Sequence, residues 1–351
     1  MAEQVRLYAA THEGVSVLRS TSAGWERVGL PLPGVVSECF AGSAQHPERV
    51  YVAAGHDGVY ATEDAGQHWS RLFDGDVRSV ALDPTNEDVI YAGTEPIHLY
   101  RSEDRGDSWE ELTALQDFPE EVRFNWWGPQ PPHQGHVAHI FIHPDDPATI
   151  YLCLEHGGVV RSFDRGATWE DVSKGIDYLD MHMLRALPGS RSRYYTSSAR
   201  AFFMSDDAAA GWVPAENGFT RYYFHDFIFL PASQEGGNPT MLVATADKSP
   251  GYWDRPEHAR TAFFRSSDCA QSWERVGAGL PEHIGPWAYT LVNHPTNPRA
   301  AFAGFGDMVR GPSHAATYGQ GSLVATYDEG DSWDTLPVDI GATFGLWGAP
   351  E

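Results

Sequence analysis

The octapeptide Ser102-Glu-Asp-Arg-Gly-Asp-Ser-Trp109 returns, intact or worn, along the whole chain. Intact copies are Thr62-Glu-Asp-Ala-Gly-Gln-His-Trp69, Ser162-Phe-Asp-Arg-Gly-Ala-Thr-Trp169 and Thr326-Tyr-Asp-Glu-Gly-Asp-Ser-Trp333. Ser205-Asp-Asp-Ala-Ala-Ala-Gly-Trp212 and Ser266-Ser-Asp-Cys-Ala-Gln-Ser-Trp273 lack the fifth-position glycine, and Ser20-Thr-Ser-Ala-Gly-Trp25 is a shortened copy. Seven tryptophans therefore mark seven units. The residue types have a mechanism: Asp folds back on the turn amides, Gly supplies a positive φ, and Trp opens the next strand and packs between units.

Working outward, each unit carries two strands before its octapeptide, clearest in Val77-Arg-Ser-Val-Ala-Leu-Asp-Pro84 and Val89-Ile-Tyr-Ala-Gly-Thr94. The chain starts at a second strand, Arg6-Leu-Tyr-Ala-Ala-Thr11, and ends on Ala342-Thr-Phe-Gly-Leu-Trp347, which has no following partners. Joined, these two halves complete one unit and close the ring without an exposed sheet edge. Plentiful glycine (35) and proline (24), with no long capped helix-period run, agree with many short strands. The expectation is an all-β, seven-bladed propeller, a single domain over residues 1–351, closed by the C-terminal strand.

The repeat resembles the Asp-box (BNR) repeat of sialidases, sortilin-type receptors, xyloglucan-cleaving glycosidases and YCF48-type assembly factors. The resemblance covers essentially the whole chain and implies the propeller fold; it does not select a function, because the box sits in an outer turn between third and fourth strands. Sialidase residues do not carry over: the Phe/Tyr-Arg-Ile-Pro segment is missing, and seven units exceed the sialidase six. The xyloglucan glycosidases look like two such propellers with an Asp pair in the cleft, whereas this chain has one.

A formal charge of −24 repels phosphate backbones and anionic membranes, so neither nucleic acid nor membrane is expected as a partner. The start has no signal-peptide pattern and no stretch approaches the ~20 apolar residues of a membrane span. Cys39, Cys153 and Cys269 form neither a disulfide framework nor a CxxC pattern. A cytoplasmic protein is the expectation.

Tryptophan spacings of 60 to 61 residues, against about 40 for a plain repeat, locate insertions near 116–134, 247–262 and 306–321. Strand order assigns all three to one face, as a cap over a site. Aligning units by the Tyr or Phe of each second strand gives an offset of 12: Cys39 to Tyr51, Ser79 to Tyr91, His139 to Tyr151, His182 to Tyr194, Thr290 to Phe302. His225 joins because His225-Asp-Phe-Ile-Phe-Leu-Pro231 matches His182-Met-Leu-Arg-Ala-Leu-Pro188. His139, His182 and His225, supplemented by His136, are thus candidate ligands of a divalent Zn, Mn, Fe or Cu ion; hydrogen-bonding core histidines are the structural alternative.

Glu13, Asp57, Glu155 and His156, in hairpins between second and third strands, are candidate acid/base residues or ordinary turn residues. Trp126, Trp127, Tyr222, Tyr223, Trp253 and Trp287 offer stacking faces or pack loops, and Arg221, with Arg123, Arg255 and Arg310, could hold a carboxylate. Together these residues point to a metal-dependent lyase or hydrolase acting on a small oxygen-rich or aromatic molecule. The alternatives are a non-catalytic binding or assembly propeller and a copper or iron oxidoreductase.

Overall fold

Each octapeptide closes on itself through short bonds that its residue types dictate. In the copy at 102–109 the Ser102 hydroxyl accepts from the backbone N–H of Gly106 (2.7 Å), and Asp104 accepts from the N–H (2.8 Å) and hydroxyl (2.5 Å) of Ser108. Arg105 and Gly106 take positive φ (62° and 94°), and the Trp109 indole donates to the Gly106 carbonyl. In the worn copies Ala209 (φ 65°) and Ala270 (φ 64°) stand at the missing glycine and take the same left-handed conformation. The turn therefore survives loss of its best-suited residue because the Ser and Asp bonds hold it.

The computed structural model describes residues 4–126, 134–234, 236–253, 255, 257, 259–310 and 316–351. It is an all-β, seven-bladed propeller of four-stranded sheets. Blade 1 comprises Val5–Thr11, Gly14–Thr21 and Gly24–Gly29, with Thr343–Pro350 antiparallel to Val5–Thr11 in the first-strand position. The two ends of the chain thus complete one sheet, as the terminal half-units require. Blades 2 to 7 lead with Cys39–Gly42, Val77–Asp83, Val137–His143, Met181–Ala186, Tyr223–Leu230 and Trp287–Asn293.

The chain divides into two compact units. One, essentially blades 2 to 5, holds 38–198 and 203–214; the other, blades 1, 6 and 7, holds 1–37, 199–202 and 215–351. Within each, neighbouring blades are clasped by a repeated backbone bond from the box tryptophan. Trp212 donates its N–H to Lys174 (2.9 Å), Trp273 to Asn217 (2.7 Å) and Trp333 to Ala278 (2.9 Å). The next residue is glycine each time, Gly175, Gly218 and Gly279, at φ near +90° to +104° with the tryptophan carbonyl where a Cβ would be. The Trp333 ring then stacks on Phe263 and Trp273 on Phe219, burying apolar area between sheets.

The insertions have different characters. The first carries short helical turns at Thr113–Asp117, Glu120–Arg123 and Phe124–Trp126. The second holds a turn at Pro250–Tyr252. The third is an extension of the second and third strands of blade 7 to Ala301–Arg310 and Ala316–Thr326, with Met308 opposite Tyr318. Among the described residues no helix is long and apolar enough to cross a membrane.

Candidate functional site

In the four-blade unit, residues flanking the start of each leading strand meet residues from the hairpins between second and third strands. The ladder explains why: Val77 pairs with Thr94 and Val137 with Leu154, so the next residues, Glu95 and Glu155, lie beside the entry to the leading strand. There the N–H of Glu95 bonds the Asp76 carbonyl (2.9 Å) and that of Glu155 the His136 carbonyl (3.0 Å).

The side chains at this end form a chain of opposite charges. His56 Nδ1 lies 2.7 Å from Asp76, and Arg78 reaches Asp76 (3.0 Å), Glu38 (3.1 Å) and Glu95 (2.8 Å). Burial works against the Arg78 charge, but Glu38, Asp76, Glu95 and Glu155 outweigh it and hold the guanidinium above its usual range. His136 stands between Glu95 (3.8 Å) and Glu155 (3.1 Å), and His156 Nε2 is 3.6 Å from the other Glu155 oxygen. His182 Nε2 lies 3.5 Å from Asp180 Oδ1. Burial pushes the Asp180 carboxyl up, yet the close His182, with His156 and His136 beyond it, prevails and holds it below the ordinary carboxylate range. Glu155, His156 and Asp180 each bring a ligand-type atom within 4.8 Å of the other two.

The histidine column does not survive in its expected form. In blades 3 and 4, Tyr91 pairs with Ala81 and Tyr151 with Phe141; in blade 5 the residue so placed is Tyr195, opposite Arg185, while Tyr194 faces Ala186. The doubled tyrosine shifts the alignment by one, so Met183 occupies the position of His139 and His182 is the extra residue of a bulge between Met181 and Met183. A one-residue shift turns a strand side chain to the other face. That is why His182 meets Asp180.

His139 does hold its position, opposite Cys153, where its Nδ1 accepts from the Leu184 N–H (3.4 Å). Burial, helped by the charge of Arg185, pushes its pKa down to about 3. An imidazole whose Nδ1 lone pair is so used carries its proton on Nε2 and has no lone pair left to offer a metal in this arrangement. In the three-blade unit, His225 donates from Nδ1 to the Tyr289 carbonyl (2.8 Å) and stands edge-on to Trp287.

The expected stacking residues are mostly structural. Trp126 is buried in the core of blades 3 and 4 against Phe118. Tyr223, Trp253 and Trp287 pack on one another with centroids 5.1 to 5.8 Å apart, all buried, and the indole N–H groups of both tryptophans lack a hydrogen-bond partner among the described residues. Of the set, Tyr222 is exposed. Arg221 is buried and spends its guanidinium on Asp247 (3.0 Å) and backbone carbonyls; Arg123 bonds the Phe118 carbonyl. Trp127 and the side chain of Arg310 lie outside the described residues.

Glu155 and His156 enter the charged chain, whereas Asp57 closes its hairpin through a backbone bond to Ala54 and Glu13 is an exposed residue of the blade 1 hairpin. Asp180, Arg78 and Glu95 were not among the expected site residues. Asp76, His136 and Asp180 each stand three residues before Ser79, His139 and Met183, a correspondence that holds only in the blade 5 register set by strand pairing.

With this geometry in place, residues 99–112 match the family model described as BNR-Asp box repeat. The chain is a BNR/Asp-box repeat β-propeller. The propeller is 23% identical over 284 residues to the xyloglucanase Xgh74A of Acetivibrio thermocellus, a match spanning 75% of this chain and 27% of that protein. The chain thus spans about a quarter of the length of this relative. A GH74 xyloglucanase from Xanthomonas campestris superposes at a TM-score of 0.62 with 16% identity, over 85% of this chain and 45% of that one. YCF48 bound to D1 peptide superposes at 0.53 with 14% identity, over 90% and 92% of the two chains. These structural likenesses establish the fold.

Proposed function

We propose that this propeller is a non-catalytic binding module that recognises a basic polypeptide segment at the charged end of blades 2 to 5. The observation that carries the reading is the pairing pattern there. Glycoside hydrolysis needs one carboxyl kept protonated near neutral pH and a second, ionised one across the bond. At this end Asp180 is shifted the other way, and Glu38, Asp76, Glu95 and Glu155 are each tied to Arg78 or a histidine. Such an array is fixed and rich in carboxylates, five of them around one guanidinium. Lysine and arginine side chains are the groups it would attract, and the −24 net charge adds long-range steering. The similarity to a peptide-bound propeller over nine-tenths of both chains supports the choice of ligand class, while the xyloglucanases share less than half their length.

The test is binding of the purified chain to arrayed peptides of varied charge, alongside an assay for reducing sugar released from xyloglucan. Salt-sensitive binding of basic peptides, weakened by Glu95→Gln with Glu155→Gln, is expected. Sugar release without peptide binding overturns the reading.

A second reading, hydrolase chemistry, is favoured by one group outside this array. Burial and the charge of Glu257 push the Asp307 carboxyl up, as a general acid requires. Xyloglucan turnover abolished by Asp307→Asn is the outcome that would select it.

A further inference from the structure

We propose that Glu155, His156 and Asp180 form a binding site for a single divalent transition-metal ion of the zinc class. This inference shares Glu155 and Asp180 with the polypeptide reading, but its experiment reads metal binding alone, so either can fail without the other.

The ligand atoms come from two adjacent blades: Glu155 and His156 from the hairpin after Asp146–Leu154, and Asp180 from the residue before Met181–Ala186. All lie within 4.8 Å of one another. Donors bound to one zinc at about 2.0–2.2 Å stand roughly 3–4 Å apart. The Glu155 and His156 atoms, at 3.6 Å, already have that spacing, and Asp180 needs only a side-chain adjustment. Asp180 Oδ1 is shielded from solvent, and its contact with His182 Nε2 is long at 3.5 Å. A shielded carboxylate oxygen with one long imidazole contact keeps lone-pair capacity for a metal ion.

The surroundings match what holds metal ligands in place. His136 Nε2 takes the second Glu155 oxygen at 3.1 Å, leaving the first directed toward His156. Neighbours of this kind orient ligands and raise their affinity. One imidazole with two carboxylates, and no thiol, suits Zn, Mn or Fe(II) rather than Ca or Cu(I). The site differs from the histidine column: His139 has no part in it, and its donor set is mainly oxygen.

The experiment uses the full chain without a metal-binding tag, stripped with chelator and titrated with Zn2+ alone by calorimetry, with elemental analysis after dialysis. Saturable binding near one equivalent is expected. Asp180→Asn and, separately, His156→Gln should each weaken it by about 10-fold or more, while His139→Gln leaves it unchanged. Because Asp180 is largely buried, circular dichroism checks its variant, and His156→Gln, in a surface hairpin, provides the same reading if Asp180→Asn does not fold. Absence of Zn2+ binding to the wild type overturns the proposal, as does a His156→Gln variant that binds like the wild type.

Discussion

Glu155 and His136 meet twice: the Glu155 N–H donates to the His136 carbonyl at 3.0 Å, and the Glu155 carboxylate lies 3.1 Å from His136 Nε2. The backbone bond fixes the hairpin against the leading strand of its own blade, and the side-chain pair then sets which way the carboxylate points. The first belongs to the fold; the second belongs to the site.

Replacing Glu155 with Gln therefore separates the two. The backbone bond remains, so unfolding free energy should fall by no more than about 1 kcal/mol, the usual range for a partly exposed ion pair. Affinity for basic peptides should fall several-fold, with a shallower salt dependence. Chemical denaturation and fluorescence anisotropy on the same preparation check both.

Gly218 should tolerate no side chain. Its φ is +104°, and a Cβ there would lie 2.0 Å from the carbonyl oxygen of Trp273. Gly218→Ala is expected to cost about 3 kcal/mol or more, from a left-handed alanine and a clash with backbone that cannot rotate away. Gly24→Ala, at φ +126° but with open space around it, should cost less. Urea midpoints of the two variants make the comparison.

His139 gives a pH dependence with a definite sign. Its folded pKa, about 3, lies below the ordinary 6.5, so the unfolded chain binds the extra proton between those values. Its contribution to stability is thus present in full above pH 6.5 and declines as pH falls toward 3. His139→Gln should flatten the acid limb of a plot of melting temperature against pH in that window, whatever its effect at pH 7.

Asp307 has the opposite sign. Burial, then the nearby Glu257 charge, raises its folded pKa, so the relative stability it gives is present below the unfolded value and lost as pH rises through the folded one. Asp307→Asn should raise the melting temperature slightly near neutral pH and converge with wild type near pH 3. A larger gain in acid than at neutrality would contradict the assignment.

Histidines were the wrong residues to trace along the blades. The residue following the one that pairs with the start of the leading strand is Glu95, Glu155, Asp247 and Asp307 in blades 3, 4, 6 and 7, so the recurring group is a carboxylate. His156 and Glu155 were legible as a pair because they are adjacent, whereas Asp180, from the next blade, was not.

The sequence by itself determined the blade count, the Asp-box turns and the completion of blade 1 by the last strand. They rest on repeated local chemistry: in six copies a hydroxyl and a carboxylate close a turn, with a residue at positive φ and an indole opening the next strand, and a seventh, shortened copy keeps the glycine and the indole. Only the tertiary structure decided that Met183, and not His182, aligns with His139, because strand pairing alone shows which of the adjacent Tyr194 and Tyr195 is equivalent to Tyr151. It alone showed Tyr223, Trp253 and Trp287 packed against one another instead of facing a ligand. It alone brought Asp180 to His156. Burial and cross-blade distance are properties of the assembled sheets, and a single strand's pattern contains neither.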